Sequence, residues 1–386
     1  MTTISPAPNF DVDAMLGSPD TRIVVCCGSG GVGKTTTAAA FALRAAEMGR
    51  RVVVLTIDPA RRLAQSMGLS HLDNTPRSVP GVAGDGSLDA MMLDMKRTFD
   101  ELVEAHSDPE RAAQVLENPF YQALSSSFAG TQEYMAMEKL GQLRRQSDLG
   151  DIWDLIVVDT PPSRSALDFL DAPQRLGSFL DGKFIRLFTG PAKGAGRGLG
   201  RVVGVGLGLA AGAVKKVLGT ELLVEVSTFI QALDSIFGGF RQRADETYAI
   251  LQEPGTAFVV VAAPEPDAVR EATYFVERLT QESMPLAGMV LNRVTLPVGH
   301  SLSAEEAVVA AERLEKSHDH SETAALLHMH ADTMHKAQRQ RHIAERFTAA
   351  HPAVSQAVIP ALADDVHDLE GLREIGDYLT EATTTG

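Results

Sequence analysis

A glycine-rich turn between a β-branched run and an alanine-rich helical pattern constrains this chain more than any other stretch. Ile23-Val24-Val25-Cys26-Cys27 leads into Gly28-Ser29-Gly30-Gly31-Val32-Gly33-Lys34-Thr35-Thr36, and Ala38-Ala39-Ala40-Phe41-Ala42-Leu43 follows. Residues 28–35 fit the phosphate-loop template G-x-x-x-x-G-K-[ST]. Glycines let successive backbone N–H groups turn inward around an anion. The lysine of such a loop, here Lys34, reaches the β- and γ-phosphates, and the hydroxyl of Thr35 ligates Mg²⁺. The helix that opens at this point directs its positive end at the same anion. A strand, a glycine loop and a helix in this order predict nucleotide phosphate binding.

The rest of the chain predicts an α/β fold around that loop. Seven short apolar runs, at 22–27, 51–57, 88–94, 154–159, 257–263, 286–292 and 354–359, read as strands. Most are β-branched and nearly continuous, as strands covered on both faces must be. Helical patterns at 35–48, 266–282 and 366–381 lie between or after them. Such alternation predicts a mostly parallel sheet flanked by helices, with ligands beyond the strand C-termini. Two long helical stretches, 96–146 and 166–252, interrupt the pattern and read as an inserted helical subdomain. The expected division is a nucleotide-binding core at 20–95, 151–165 and 254–386, and a helical subdomain at 96–150 and 166–253.

Composition narrows the function classes. The net charge of −15 argues against nonspecific nucleic-acid binding. The two cysteines, Cys26 and Cys27, are adjacent on the first strand, which leaves no disulfide framework and no C-x-x-C zinc clasp. The polar start of the sequence has no signal-like segment, and no run of about 20 apolar residues spans a bilayer. A cytoplasmic protein, peripheral at a membrane at most, is expected. The charge balance inverts locally: residues 182–220 hold seven basic residues and no acidic one, and 190–219 is rich in glycine. That segment reads either as a flexible linker or as an apolar, basic surface for a client or an anionic membrane face. His328, His335 and His342 recur every seven residues. On a helix they stand about 10.5 Å apart along the axis, too far to share one metal, and read as a solvated face.

Two carboxylates complete the constellation. Leu55-Thr56-Ile57-Asp58-Pro59-Ala60 ends the second strand on Asp58, and Val157-Val158-Asp159-Thr160-Pro161-Pro162 ends the fourth predicted strand on Asp159. A phosphate-loop enzyme needs a carboxylate near Mg²⁺ and a group that orients the attacking water. The order Gly-Gly-Val-Gly-Lys-Thr-Thr, Asp-Pro-Ala and Asp-Thr-x-Pro resembles the arsenite-pump ATPase family, which also contains the ATPase that delivers tail-anchored membrane proteins. Similarity extends through Pro264-Glu265, Val290-Leu291-Asn292-Arg293 and Pro360-Ala361-Leu362-Ala363-Asp364-Asp365-Val366. The resemblance implies ATP hydrolysis with Mg-ATP. Lys34, Asp58 and Asp159 would be catalytic: Asp58 would polarise the attacking water, and both carboxylates would face Mg²⁺ through water. Asn292 would face the adenine edge, with the loop containing Pro360 and Leu362 covering the base.

The resemblance also implies a dimer that closes on ATP and handles a hydrophobic client or membrane partner. Four departures qualify it. Ser29 stands where the family usually has a lysine that crosses the dimer to the partner's phosphates. That difference predicts a heterodimer with a related, lysine-bearing ATPase. The dimer-joining C-x-x-C and the arsenite-binding cysteines are missing, and Ser163-Arg164-Ser165 replaces the usual Thr-Gly-His. The alternatives are a low-turnover regulatory subunit and the motor of an anion efflux pump. No Asn-Lys-x-Asp stretch for guanine occurs, which leaves a GTPase disfavoured.

Overall fold

The computed structural model describes residues 7–58, 62–118, 121–122, 132–161, 240–297, 302–317 and 320–380. Its sheet has eight strands among these residues: β1 Ile23–Cys27, β2 Arg51–Thr56, β3 Arg77–Ser78, β4 Ser87–Met92, β5 Leu155–Asp159, β6 Thr256–Ala262, β7 Leu286–Val294 and β8 Gln356–Pro360. The order is β3-β4-β2-β5-β1-β6-β7-β8. Every described pairing is parallel except β3 with β4. The mostly parallel α/β architecture expected from the sequence is therefore present.

The seven apolar runs became seven of these strands. Each of the two central runs, in β1 and β5, is buried along its whole length. This is why they carry valine, isoleucine and cysteine without polar alternation. The two-residue β3 has no apolar run and was not foreseen. The alanine-rich helix Lys34–Glu47 packs against the sheet with residues 37–43, 45 and 46 buried. Small side chains on nearly every face let this helix sit between the sheet and the C-terminal helix Leu369–Thr380. Arg44 bonds Asp13 through Nε and Nη2 at 2.7 and 2.8 Å, and Arg373 pairs with Glu47 at 2.9 Å. These part-exposed pairs are worth little energy but fix the helix azimuth.

The chain divides into two compact units, one of Met1–Met92, Arg144–Leu167 and Ile250–Gly386, the other of Leu93–Leu143 and Asp168–Ala249. The first contains the sheet. The second contains helix Met95–His106, whose N-cap Asp94 accepts from the Arg97 N–H at 2.9 Å, and helix Pro109–Leu116. The helical stretch 96–146 breaks at residues 107–109. Ser107 is extended and Pro109 opens a new helix, because proline suits a first turn and disfavours the helical backbone before it. In this unit the buried Glu138 carboxylate pairs with Arg243 at 2.9 Å and also accepts from the Tyr134 hydroxyl. Burial raises the Tyr134 phenol well above its usual range.

Helix Ser321–Ala350 carries the histidines and packs on helix Ala304–Ser317 around Ala307 and Ala331. His328 Nε2 lies 3.1 Å from Glu315, and His330 Nε2 lies 2.9 Å from the Leu302 carbonyl. His318 lies outside the described residues, as do 162–239, including the basic glycine-rich segment 190–219. Among the described residues, no helix is long and apolar enough to cross a membrane.

Candidate functional site

The C-terminal ends of β2, β5 and β1 lie side by side, so the glycine loop and both strand-end carboxylates leave one edge of the sheet. Gly28 follows β1 where the backbone passes close to β6. A Cβ there would stand 2.1 Å from the Val261 carbonyl oxygen. Gly33 has φ +95 and caps helix Lys34–Glu47 in the left-handed conformation. Ser29, Gly30, Gly31 and Val32 form the turn between them. Lys34 is 5% exposed and its Nζ donates to the Ser29 carbonyl at 2.8 Å, so the lysine folds over its own loop. Burial pulls the Lys34 pKa down, and the charge of Asp159 opposes that shift. Thr35 and Thr36 occupy the first helical turn.

Asp159 pairs in register with Cys26 of β1 and Thr56 of β2. Its Oδ2 accepts from Thr35 Oγ1 and from Thr56 Oγ1, each at 2.8 Å. Its Oδ1 is buried and has no hydrogen-bond partner among the described residues. Burial pushes this carboxyl up to about 6, against the two threonine hydroxyls and Lys34, which favour the ionised form. Asp58 is 8% exposed, and its backbone N–H donates to Thr56 Oγ1 at 3.2 Å. An anionic oxygen left unsatisfied beside a threonine hydroxyl suits a hard divalent cation, directly or through water. Mg²⁺ fits this donor set.

Asn292, near the end of β7, points at the glycine loop. Its Nδ2 donates to the Val32 carbonyl at 2.8 Å, and its Oδ1 accepts from the Arg293 N–H at 2.9 Å. Pro360 ends β8, the Ala361 N–H donates to the Val294 carbonyl at 2.9 Å, and Leu362 packs partly buried on the main core. The structure thus brings Lys34, Thr35, Asp58 and Asp159 together at the strand ends, with Asn292 on the opposite side of the loop. Two further residues belong to the site and were not singled out from sequence. Thr56 shares the Asp159 oxygen with Thr35, and Arg293 donates from Nη1 to the Gly31 carbonyl at 3.0 Å. A threonine two residues before a strand-end aspartate was visible in the sequence, but its partner is set by the register of β2 on β5. Pro59, Ala60 and the switch residues 163–165 lie outside the described residues.

Both cysteines are buried on β1, and burial drives the Cys26 thiol well above its usual pKa and the Cys27 thiol up to about 12. They act as small core residues here.

Comparison with known proteins matches residues 21–318 to the family described as anion-transporting ATPase. The chain is 25% identical over 296 residues to "ATPase GET3" of Malassezia globosa, covering 77% of this chain and 80% of that protein. It is 28% identical over 282 residues to "ATPase get3" of Aspergillus terreus, covering 72% of this chain and 74% of that one. An "arsenical pump-driving ATPase" of Acidiphilium multivorum is 30% identical over 156 residues, which are 40% of this chain and 26% of that protein.

Proposed function

This chain belongs to the anion-transporting ATPase family, and on that premise we propose that it is the ATP-driven switch of a dimer, coupling closure on Mg-ATP to the handling of a hydrophobic client or membrane partner. It is an ATPase. The observation that carries the catalytic half of the reading is the buried Asp159 carboxylate, with Oδ2 tied to Thr35 and Thr56 and Oδ1 unpartnered among the described residues.

In this reading Gly28, Ser29, Gly30, Gly31, Val32 and Gly33 turn their N–H groups toward the β- and γ-phosphates. Lys34 leaves the Ser29 carbonyl and follows the γ-phosphate. Thr35 and Asp159, the latter through water, would hold Mg²⁺, which would supply charge neutralisation at the polyphosphate. Asp58 orients the attacking water from the end of β2. Thr56 keeps Asp159 Oδ2 engaged, which leaves Oδ1 as the carboxylate oxygen open to a further partner. Pro360, Leu362 and Asn292 bound the adenine side.

The dimeric half rests on Ser29. Fast phosphoryl transfer draws on a further cation beyond the loop's own lysine and Mg²⁺, and such a donor supplied in trans is worth about 10³–10⁵ in rate. Serine cannot supply it, so a related subunit carrying lysine there is the expected partner. That same residue favours a second reading, a low-turnover regulatory subunit. The pump-motor reading draws support from the family's description and from the Acidiphilium relative's name; the two buried, high-pKa thiols of this sequence make poor arsenite ligands. Light scattering of the chain, alone and with a co-expressed lysine-bearing relative, tests the proposal. A mixed dimer that tightens with Mg-ATP is expected, with co-purified apolar partners identified by mass spectrometry. A monomer in every nucleotide state would sink it.

A further inference from the structure

The residues Asn292 and Arg293 together grip the outside of the glycine loop. Asn292 Nδ2 holds the Val32 carbonyl at 2.8 Å, and Arg293 Nη1 holds the Gly31 carbonyl at 3.0 Å. The local backbone is built for this. The pairing of β7 with β8 shifts register between Leu291 and Val294, which releases the two intervening residues from the ladder. Arg293 adopts φ +62, a left-handed backbone that an L-residue rarely takes, and its N–H is capped by the Asn292 side-chain oxygen at 2.9 Å. The turn therefore aims both side chains at consecutive loop carbonyls. The fit at Gly33 is equally close: a Cβ there would lie 2.1 Å from Asn292 Nδ2.

Peptide geometry gives this grip a consequence. Across a trans peptide the C=O and N–H point in opposite directions, and the described chain has no cis peptide bond. The Gly31 carbonyl shares its plane with the Val32 N–H, and the Val32 carbonyl with the Gly33 N–H. Drawing both carbonyls toward β7 turns both N–H groups the other way, and neither donates to a described backbone carbonyl. We propose that Asn292 and Arg293 are positioning residues that pre-shape the phosphate loop, holding the Gly31 and Val32 carbonyls outward so that the Val32 and Gly33 N–H groups face the polyphosphate before nucleotide arrives. The inference rests on the reading of 28–35 as the phosphate site. It deepens the role of Asn292, whose amide is engaged on the loop, and gives Arg293 a role independent of the base.

The decisive probe has no base. Titration calorimetry would compare ATP, GTP and inorganic tripolyphosphate, each with Mg²⁺, on the full chain and its variants. Loss of a hydrogen bond of this kind weakens an equilibrium by about threefold to tenfold. Asn292→Ala is expected to weaken tripolyphosphate by about tenfold and ATP by at least as much. Arg293→Gly, which suits the left-handed backbone and so keeps the turn, is expected to weaken both by about threefold to tenfold, with Arg293→Lys recovering some of the loss. In turnover, KM should rise more than kcat falls. Where Asn292→Ala does not fold, the Arg293 pair carries the test. Tripolyphosphate affinities within twofold of wild type in both variants would overturn the proposal, and so would wild-type protein that binds ATP but no tripolyphosphate at millimolar concentration. Lys34→Ala separates the two levels. If it collapses binding while the Asn292 and Arg293 variants bind normally, the grip alone fails. If it too binds ATP normally, the phosphate-site reading fails and the grip with it.

Discussion

At the scale of single residues, the site is governed by where one buried negative charge can be satisfied. Asp159 is 0% exposed, and burial lifts its pKa to about 6 from the usual 3.8. A carboxyl with a raised folded pKa binds protons more readily folded than unfolded between those values. Its contribution to stability therefore falls as pH rises from about 4 through about 6, and then levels. At neutral pH the metal-free protein carries a penalty of about 3 kcal/mol at most from this group. Asp159→Asn should accordingly raise the melting temperature of the nucleotide-free protein at pH 7.5, with the gain shrinking toward pH 4. In Mg-ATP the order should reverse, because wild type alone gains the ion. Melts at two pH values, with and without Mg-ATP, check this; an Asn variant no more stable than wild type at pH 7.5 would show that the threonines already offset the burial of Asp159. Asp58 and Lys34 separate differently. Asp58→Asn should keep Mg-ATP binding and lose most hydrolysis, since a water-orienting group acts mainly in the transition state, whereas Lys34→Ala should weaken binding itself. Single-turnover rates beside binding constants distinguish them. Unchanged turnover in Asp58→Asn would move the water-orienting role elsewhere.

At the scale of elements, what the sequence disclosed and what it hid follow from the range of the forces involved. β1, β2 and β5 were legible because burial on both faces demands unbroken apolar runs. The glycine loop was legible because its chemistry is local. The break at Ser107-Asp108-Pro109 was also written locally, in the proline, but the apolar spacing on either side masked it. Thr56 and Arg293 were hidden for a different reason. Their partners lie 103 and 262 residues away, and only strand register and a bulge bring them there. The edge strand β3 is two polar residues long and leaves no periodic trace. The spacing between β1 and β6 can be tested at the loop's first glycine. A Cβ at Gly28 would meet the Val261 carbonyl at 2.1 Å, whereas at Gly31, with φ +77, it would meet nothing within 4 Å. Gly28→Ala must push β1 and β6 apart and should cost about 3 kcal/mol. Gly31→Ala bears only the backbone penalty, about 1 kcal/mol. Urea melts of these variants give the comparison, and equal losses would mean that β6 yields freely at Val261.

At the scale of the whole molecule, the question is whether one chain completes its own catalytic charge balance. In the proposed site, Lys34, the loop N–H groups and the residues that would hold Mg²⁺ would face the phosphates, and Ser29 stands where the resemblance places a lysine that crosses to a partner. Serine is uncharged and too short to reach. On the proposed reading, the chain would receive a cation from a lysine-bearing partner and would return none. Alone it should hydrolyse ATP slowly, and in a mixed dimer its own site should be the faster of the two. Two arginines beside Asp58 compete with this account. Arg62 is exposed at the start of helix Arg62–Ser66, and Arg61 lies outside the described residues. Either could stand in for the lysine, although an exposed arginine on a helix face is more simply a solvated one. Ser29→Lys, assayed without any partner, decides between them. A variant that dimerises with itself should then place a lysine at each other's phosphates. A rise of about tenfold or more in kcat, or about 1.4 kcal/mol of transition-state stabilisation, is expected. The gain should depend on protein concentration, because the cation arrives only in the dimer. Wild-type protein that turns over alone as fast as the lysine variant would defeat the missing-cation account, and loss of that rate in Arg62→Ala would pass the role to Arg62.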